Sequence, residues 1–461
     1  MSRNVKRHPY RRLYSAGRNN MNMENPMQRM MKNLKQNAAL PLSLLAALTM
    51  VGCNETGSSS LGSSEDEHEH AESDHPGRLV IAAGDDGSQL YMYDLEANAL
   101  LPGTLTLDYD ASALYTSPGK RFVLAIQRDN DQVQVIDGGL YLHDDHVDEV
   151  IPSFAGTLTG PAPTHFRVHG EQAALFYDGD ADNAVMAQME LLTDESLETA
   201  SSEASQTLTS AHHGVAEPRG DVLLTTFRTA DDGLPETVDV YHQHNDHYHK
   251  EDTISLTCPE LHGAGSNEDY SVFGCDDGIL IVHQNGEEFT AEHVDNATLG
   301  LAAGERISGF DSHHELSHFI GYAGDRVFVI HPEDGDAEEL DWTEGATVSL
   351  ENHSLDPHAE HLVLLDDAGD LRIFDTTDWS EHAHVEDAIA PGNTHMVVAG
   401  EPAHVYLSDS GNQFILVVHL EEGSVEESLP LTFPPAALAW AGLDTDHDEE
   451  DHEDEDDGHD H

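Results

Sequence analysis

Basic residues are scarce in this chain. Its 461 residues include 20 Lys and Arg against 88 Asp and Glu, for a formal net charge of −68. The first 53 residues hold nine of the basic side chains and a single acid, Glu24, so the remaining 408 carry 11 basic against 87 acidic residues. A surface this negative repels phosphate, which excludes nucleic acid and anionic lipid as electrostatic partners and favours cations. Tryptophan is limited to Trp342, Trp379 and Trp440, and no repeated Trp motif of the quinoprotein kind occurs. GxSxG and P-loop sequences are absent as well, which removes the usual signatures of serine hydrolases and nucleotide-binding enzymes, and HELSH from His314 has the spacing of HExxH but stands where no helical period surrounds it. The apolar run from Ala38 to Met50 is interrupted by Pro41 and Ser43 and is too short to span a bilayer as a helix. Between Arg78 and Leu443 no helical period is sustained.

Histidine is the residue in excess. There are 33, more than all Lys and Arg together, and many stand beside carboxylates: EHEHAESDH from Glu67, HDDHVDE from His143, HQHNDHYH from His242 and DHDEEDHEDEDDGHDH from Asp446. Neutral imidazole and carboxylate together suit borderline divalent cations such as zinc. Adaptation to high salt accounts for the acid by itself, because excess carboxylate keeps a surface hydrated. It does not account for histidine, which carries no charge when neutral.

Residues 1–53 read as an N-terminal extension and export signal. Lys32 and Lys35 precede the apolar run, and Val51-Gly52-Cys53 supplies small residues before a cleavage point. The segment resembles the lipobox of bacterial lipoproteins, although Met50 stands where Leu is usual. Cys53 is then the lipidated residue, and Asn54, which is not the Asp of inner-membrane retention, points to a lipid anchor in the outer membrane of the periplasm. The signal begins late, and Met21, Met23, Met27, Met30 or Met31 is a candidate true start. Residues 54–77 are rich in Ser, Gly and acid and read as a disordered tether, and 444–461 as a disordered acidic, His-rich tail. The tail lacks the mid-loop Gly of an EF-hand.

Residues 78–443 consist of repeated hairpins. RLVIAAGDDGSQLYMYDL from Arg78 is followed by similar hairpins from Arg121, Gln172, Asp221, Tyr270, His318, His361 and His404, about 42 to 52 residues apart. The spacing predicts an all-β fold, a β-propeller of eight blades, or seven if one repeat is miscounted. A sandwich would make the even spacing accidental. AALAWAGL from Ala436 is expected to supply the strand missing from the first blade and so close the ring. Cys258 and Cys275 are expected to form a disulfide joining the innermost strand of blade five to its neighbour. Thiolate ligation of zinc with His262 is the competing reading, and the two exclude each other.

Inner strands of a propeller line one channel, so residues at equivalent inner positions converge. Before the hairpins stand PTHFRVHG with His165 and His169, SAHHGVAEPRG with His212 and His213, CPELHGAG with His262 and NTHMVVAGEP with His395, while blade six has Ser308 and Gly309. His165, His213 and His262, with His395 as a fourth candidate, are the predicted ordered metal ligands. HQHNDHYH places His242 and His244 on one strand face as a weaker pair.

HFRVHG, HHGVAEPRGDV and CPELHG followed by GCDDGILIV resemble the β-propeller zinc metallochaperones of the bacterial periplasm, over about Arg78 to Trp440. The resemblance implies Zn2+ as the bound metal, no enzymatic activity, and delivery to the solute-binding protein of a zinc ABC importer. It also matches His68, His70, Asp74 and His75 before the first blade to a metal-capturing arm, and Asp144, Asp145 and His146 to a DDH-type sequence. Ala264 departs from the family's acidic residue after the HG. A monomer is expected. An acidic interaction scaffold or metal buffer, and a hydrolase using a channel metal, are the competing functions. Because ligation needs neutral imidazole, zinc affinity is expected to fall as pH drops below about 6.5.

Overall fold

The computed structural model describes residues 77–84, 87–143, 146–230, 233–392 and 394–443, apart from the side chains of His143 and His146. The signal with Cys53, the tether residues His68, His70, Asp74 and His75, the acids Asp144 and Asp145, and the tail lie outside the described residues.

Strands dominate, and among the described residues they pair antiparallel into eight units of about four strands, taken below as sheets, the third and fourth of which run on into one eight-stranded sheet. Taken from the first sheet to the eighth, the inner strands are Pro435–Ala441, Ala113–Thr116, Pro163–His169, Ala216–Arg219, Ala264–Ser266, Gly309–Asp311, Leu350–Leu355 and Met396–Ala399. In the first sheet the outer edge is split into Ala99–Leu100 and Leu105–Thr106, both paired with Gln89–Asp94. Sheets three and four touch through one parallel bridge, Ser205 to His247. A small hairpin, Leu140–His143 with His146–Glu149, is inserted in the second sheet before its outer strand.

Two-residue periodicity explains how the sheets pack. Phe122–Gln127 in sheet two is buried along its whole length. Phe122, Leu124 and Ile126 pack with Phe166, Ala173, Leu175 and Tyr177 of sheet three, whereas Val123 and Ala125 pack with Val80, Ala82 and Leu90 of sheet one. Successive side chains of a strand point to opposite faces, so each strand feeds two apolar cores. The pattern repeats around the molecule until Tyr406, Ile415 and Val417 of sheet eight meet Leu79, Ile81 and Trp440 of sheet one. The fold is thus a propeller closed on itself. Its seam is the pairing of Pro435–Ala441 with Arg78–Ala83, with Leu79 opposite Trp440, which removes the open edge as the repeat predicted.

Several of the few basic residues sit at joints between sheets. Arg78 is buried and bonds Asp94 of its own sheet at 3.1 Å, and beyond it the Gly138 carbonyl at 2.8 Å, the Val150 carbonyl at 3.0 Å and the Glu149 carboxylate at 2.8 Å. Arg219 of sheet four donates to the carbonyls of Asn267, Glu268 and Tyr270 around sheet five. Arg128 reaches from sheet two to Asp178 after the second strand of sheet three, at 2.6 Å.

Cys258 and Cys275 form the expected disulfide. Its placement differs from expectation, because Cys258 lies in the connection before the inner strand Ala264–Ser266, and Cys275 just after Tyr270–Gly274. Both cysteines belong to the core between sheets four and five, so the bridge braces the loop that carries His262. With both sulfurs in the bridge, thiolate ligation is excluded.

Replacing Arg78 with Ala should strand the buried Asp94 carboxylate and cost about 3–5 kcal/mol, the range for breaking a buried ion pair. Urea unfolding measures it; a loss below about 1 kcal/mol would show that water replaces the guanidinium.

Candidate metal centre

His165 is the third residue of the inner strand Pro163–His169, while His213 and His262 sit in the loops that lead into the inner strands of sheets four and five. Consecutive sheets therefore each contribute one imidazole at the end of the channel where inner strands begin. One ligand nitrogen from each histidine lies within 4.8 Å of the other two. The Nε2 atoms of His165 and His213 are 3.1 Å apart, and the rings of His213 and His262 have centroids 5.5 Å apart. Zinc–nitrogen bonds of about 2.0–2.1 Å in a tetrahedron put neighbouring nitrogens roughly 3.3 Å apart, close to the spacing of the nearer pair.

Local backbone features aim the rings. Gly263 adopts φ +82°, and a Cβ there would come within 2.4 Å of the Ser308 carbonyl oxygen. Only glycine allows the loop to press against sheet six, which brings His262 Nδ1 within 3.1 Å of that same carbonyl. His213 Nδ1 lies 2.9 Å from Asp178 Oδ2. A carbonyl and a carboxylate are acceptors only, so each fixes the proton on Nδ1 and leaves Nε2 as the free lone pair. Burial opposes ionisation of Asp178, yet His213 and Arg128 outweigh it and hold its carboxyl below the usual range.

His165 is kept neutral. Burial, and then the neighbouring His213, lower its pKa to about 4, with His262 and Arg167 adding to the effect against the opposing Asp178. The triad opens on a cavity of about 260 Å3, also lined by Arg167, Asp311 and His353. His353 Nδ1 and the Tyr322 hydroxyl both bond Asp311 Oδ2 at 2.7 Å, so that carboxylate is already engaged. Three imidazole nitrogens with a cavity beside them can hold a divalent cation and leave a coordination position for an incoming ligand.

The other candidates are placed differently. His395 belongs to sheet eight, three sheets further round than sheet five, and is not among the histidines gathered here; its backbone N–H donates to Ser408 Oγ at 2.8 Å. His212 is buried, with Nε2 2.9 Å from the Thr226 carbonyl, and holds the loop together. His169 faces the opposite end of the channel. In the outer hairpin of sheet four, His247 and His249 approach to 3.0 Å between Nε2 atoms, with His244 beside them, rather than His242 pairing with His244. His146 lies in the strand His146–Glu149 of the small hairpin inserted in the second sheet, and its side chain is outside those described. Sequence reasoning missed Asp178, Arg128 and the Ser308 carbonyl as ring-orienting groups. Asp178 closes a strand of sheet three and supports a histidine of the next sheet, a pairing that only the lateral packing reveals.

Asp178→Asn should weaken Zn2+ binding by about 10–100-fold, the range for loss of a carboxylate behind a ligating imidazole. Competition with a chromophoric chelator reads it, and unchanged affinity would remove Asp178 from the site. The depressed pKa of His165 makes the unfolded chain bind the extra proton first. Its contribution to metal-free stability is therefore full above about pH 6.5 and lost as pH falls through about 4. His165→Gln should flatten that part of the urea-midpoint-versus-pH curve; an unaltered slope would mean that other groups carry it.

No family model matches the sequence. Among solved structures, apo AztD from Citrobacter koseri superposes with a TM-score of 0.66 at 19% identity, covering 80% of this chain and 99% of that one, and a second structure of Citrobacter koseri AztD gives 0.67 with the same identity and coverage. The dihydro-heme d1 dehydrogenase NirN, in complex with DHE, gives 0.54 at 10% identity, over 79% of this chain and 75% of that one. The chain thus has the propeller fold of AztD over nearly the whole of that protein's length, with three histidines gathered at one end of its channel.

Proposed function

We propose that this protein is a zinc metallochaperone of the periplasm, which captures Zn2+ and passes it to the solute-binding protein of a zinc ABC importer. The observation that carries the reading is the convergence of His165, His213 and His262 from three successive sheets, two of them with Nδ1 held by an acceptor. An ion on three protein nitrogens retains a position through which an acceptor's ligand can enter, so transfer proceeds by ligand exchange rather than by release into water. The fold shared with AztD and the sequence resemblance to zinc metallochaperones support the same reading. The shared fold does not supply the acceptor, which rests on the resemblance alone. The lipobox-like segment ending at Cys53 would place the protein at the outer membrane, with His68, His70, Asp74 and His75 as a capture arm. NirN is a dehydrogenase on a related ring, so the fold by itself does not choose between carrier and enzyme.

The decisive measurement is transfer from the zinc-loaded protein to a purified periplasmic zinc-binding protein, for the parent and for His165→Ala, His213→Ala and His262→Ala. Each substitution should reduce tightly held zinc and the amount transferred by tenfold or more. Equal transfer by all four proteins would leave a scaffold or loose metal buffer. Deleting residues 54–76 should slow transfer and leave triad affinity almost unchanged, and a large fall in affinity would end the division between arm and triad.

A further inference from the structure

The channel has a second end, and its chemistry is not that of an inert rim. Where the inner strands finish, a cavity of about 530 Å3 is lined by His169, His313, His314 and His358, with Glu171, Asp356 and Glu401. His165 and His169 share one strand. At about 3.3 Å per residue the four-residue step carries the chain roughly 13 Å, from one mouth to the other. Arg167 lies between them and lines both cavities, with Nε donating to Glu217 Oε1 at 2.8 Å and Nη2 to the Ala264 carbonyl. The cation on that residue separates the two ends electrostatically.

We propose that this far mouth is a second divalent-cation site, with His313, His314 and Glu315 as its ligand group and His169 and His358 on the wall of the same cavity. One ligand atom from each of His313, His314 and Glu315 lies within 4.8 Å of the others. The His313 and His314 rings are 4.2 Å apart between centroids. Their segment is held in place: Glu268 N–H donates to the His314 carbonyl at 3.1 Å, and Leu316 N–H to the His313 carbonyl at 3.2 Å. His169 Nδ1 is buried and has no hydrogen-bond partner among the described residues, an orphaned lone pair or N–H in a cavity that already holds three other imidazoles. Burial, followed by the repulsion of His314, Lys120 and His358, lowers the pKa of His313 to about 4, so its ring is neutral and able to ligate. Lys120 and Arg167 also line the cavity and are the charges that oppose a cation, set against Glu171, Glu315 and Glu401. His358 Nε2 is 2.7 Å from Glu401 Oε2.

The path of the chain gives this mouth a further distinction. Leu443, the last described residue, lines the cavity together with Trp440. Gly77, the first, packs so closely on Trp440 that a Cβ would come within 2.4 Å of its Nε1. Gly77 and Leu443, the described ends of the ring, therefore both lie on this side and not beside the triad.

The test uses the full chain with Zn2+ alone as probe, so that its failure is distinct from failure of the chaperone reading. Diethyl pyrocarbonate modification, read peptide by peptide, should show His313 and His314 protected at least fivefold by stoichiometric zinc, both in the parent and in His165→Ala/His213→Ala. A competition titration of His313→Gln/His314→Gln should lose about one zinc equivalent while keeping the affinity of the triad. Unchanged modification of His313 and His314 on adding zinc, in a parent chain carrying no substitution, would overturn the proposal. So would a titration of the double variant that superimposes on that of the parent.

Discussion

A propeller depends on closure. Each sheet here is apolar on both faces and has no stable existence until a neighbour covers each one, so eight sheets leave two exposed faces unless the last meets the first. The chain meets this constraint with a strand from its far end: Pro435–Ala441 pairs beside Arg78–Ala83, and Trp440 enters the core between sheets eight and one. Pairing residues some 360 positions apart carries a loop-closure cost that grows only slowly with length, and the apolar burial along the whole seam outweighs it. Closure also aligns the inner strands around one channel. The histidine triad exists because of that alignment, since none of its members is near another in sequence.

The charge imbalance has a structural counterpart. With so few cations available, those present are placed where a guanidinium can join elements that differ in sequence: Arg78 between sheets one and two, Arg128 between two and three, Arg167 and Arg219 between later pairs. Carboxylates left over face water, where they are hydrated and produce the negative field that attracts cations. Tight binding requires something else. Near Asp178 and Asp311 the acids are engaged by Arg128, His213, His353 and Tyr322, and the donors left to meet an ion are imidazole nitrogens. The field gathers ions without selecting among them, whereas nitrogen donors at fixed spacing prefer borderline metals over calcium or magnesium.

The two ends of the channel are unlike because strands have direction. His165, near the start of an inner strand, joins residues from loops that lead into sheets four and five, and Gly263 and the disulfide hold that edge firm. At the other end, loops leaving the inner strands carry His313, His314 and His358, next to the points where both charged segments attach. Arg167 stands between the two ends. A single strand thus contributes to two different environments, one at each end of the channel.

Much of the architecture was legible from local rules. Alternating apolar residues between turn signals gave the hairpins, their even spacing gave the repeat, and the shortage of one strand in the first unit pointed to Ala436 onward as the closing segment. The HG of CPELHG and the pairing of Cys258 with Cys275 were recognisable in the same way, although the place of Cys258 in a connection rather than a strand was not. His165, His213 and His262 could be nominated because the repeat assigns them equivalent positions. What sequence determined, then, was periodicity, charge and the inventory of ligands, since each depends on neighbours along the chain. Tertiary structure alone decided that His395 stands apart from the triad, that Asp178 and the Ser308 carbonyl orient its rings, and that His169 and His165 serve opposite ends. Those relations are set by lateral packing between sheets and by the direction of the strands through the channel, and no spacing in the sequence encodes the distance between groups on different blades.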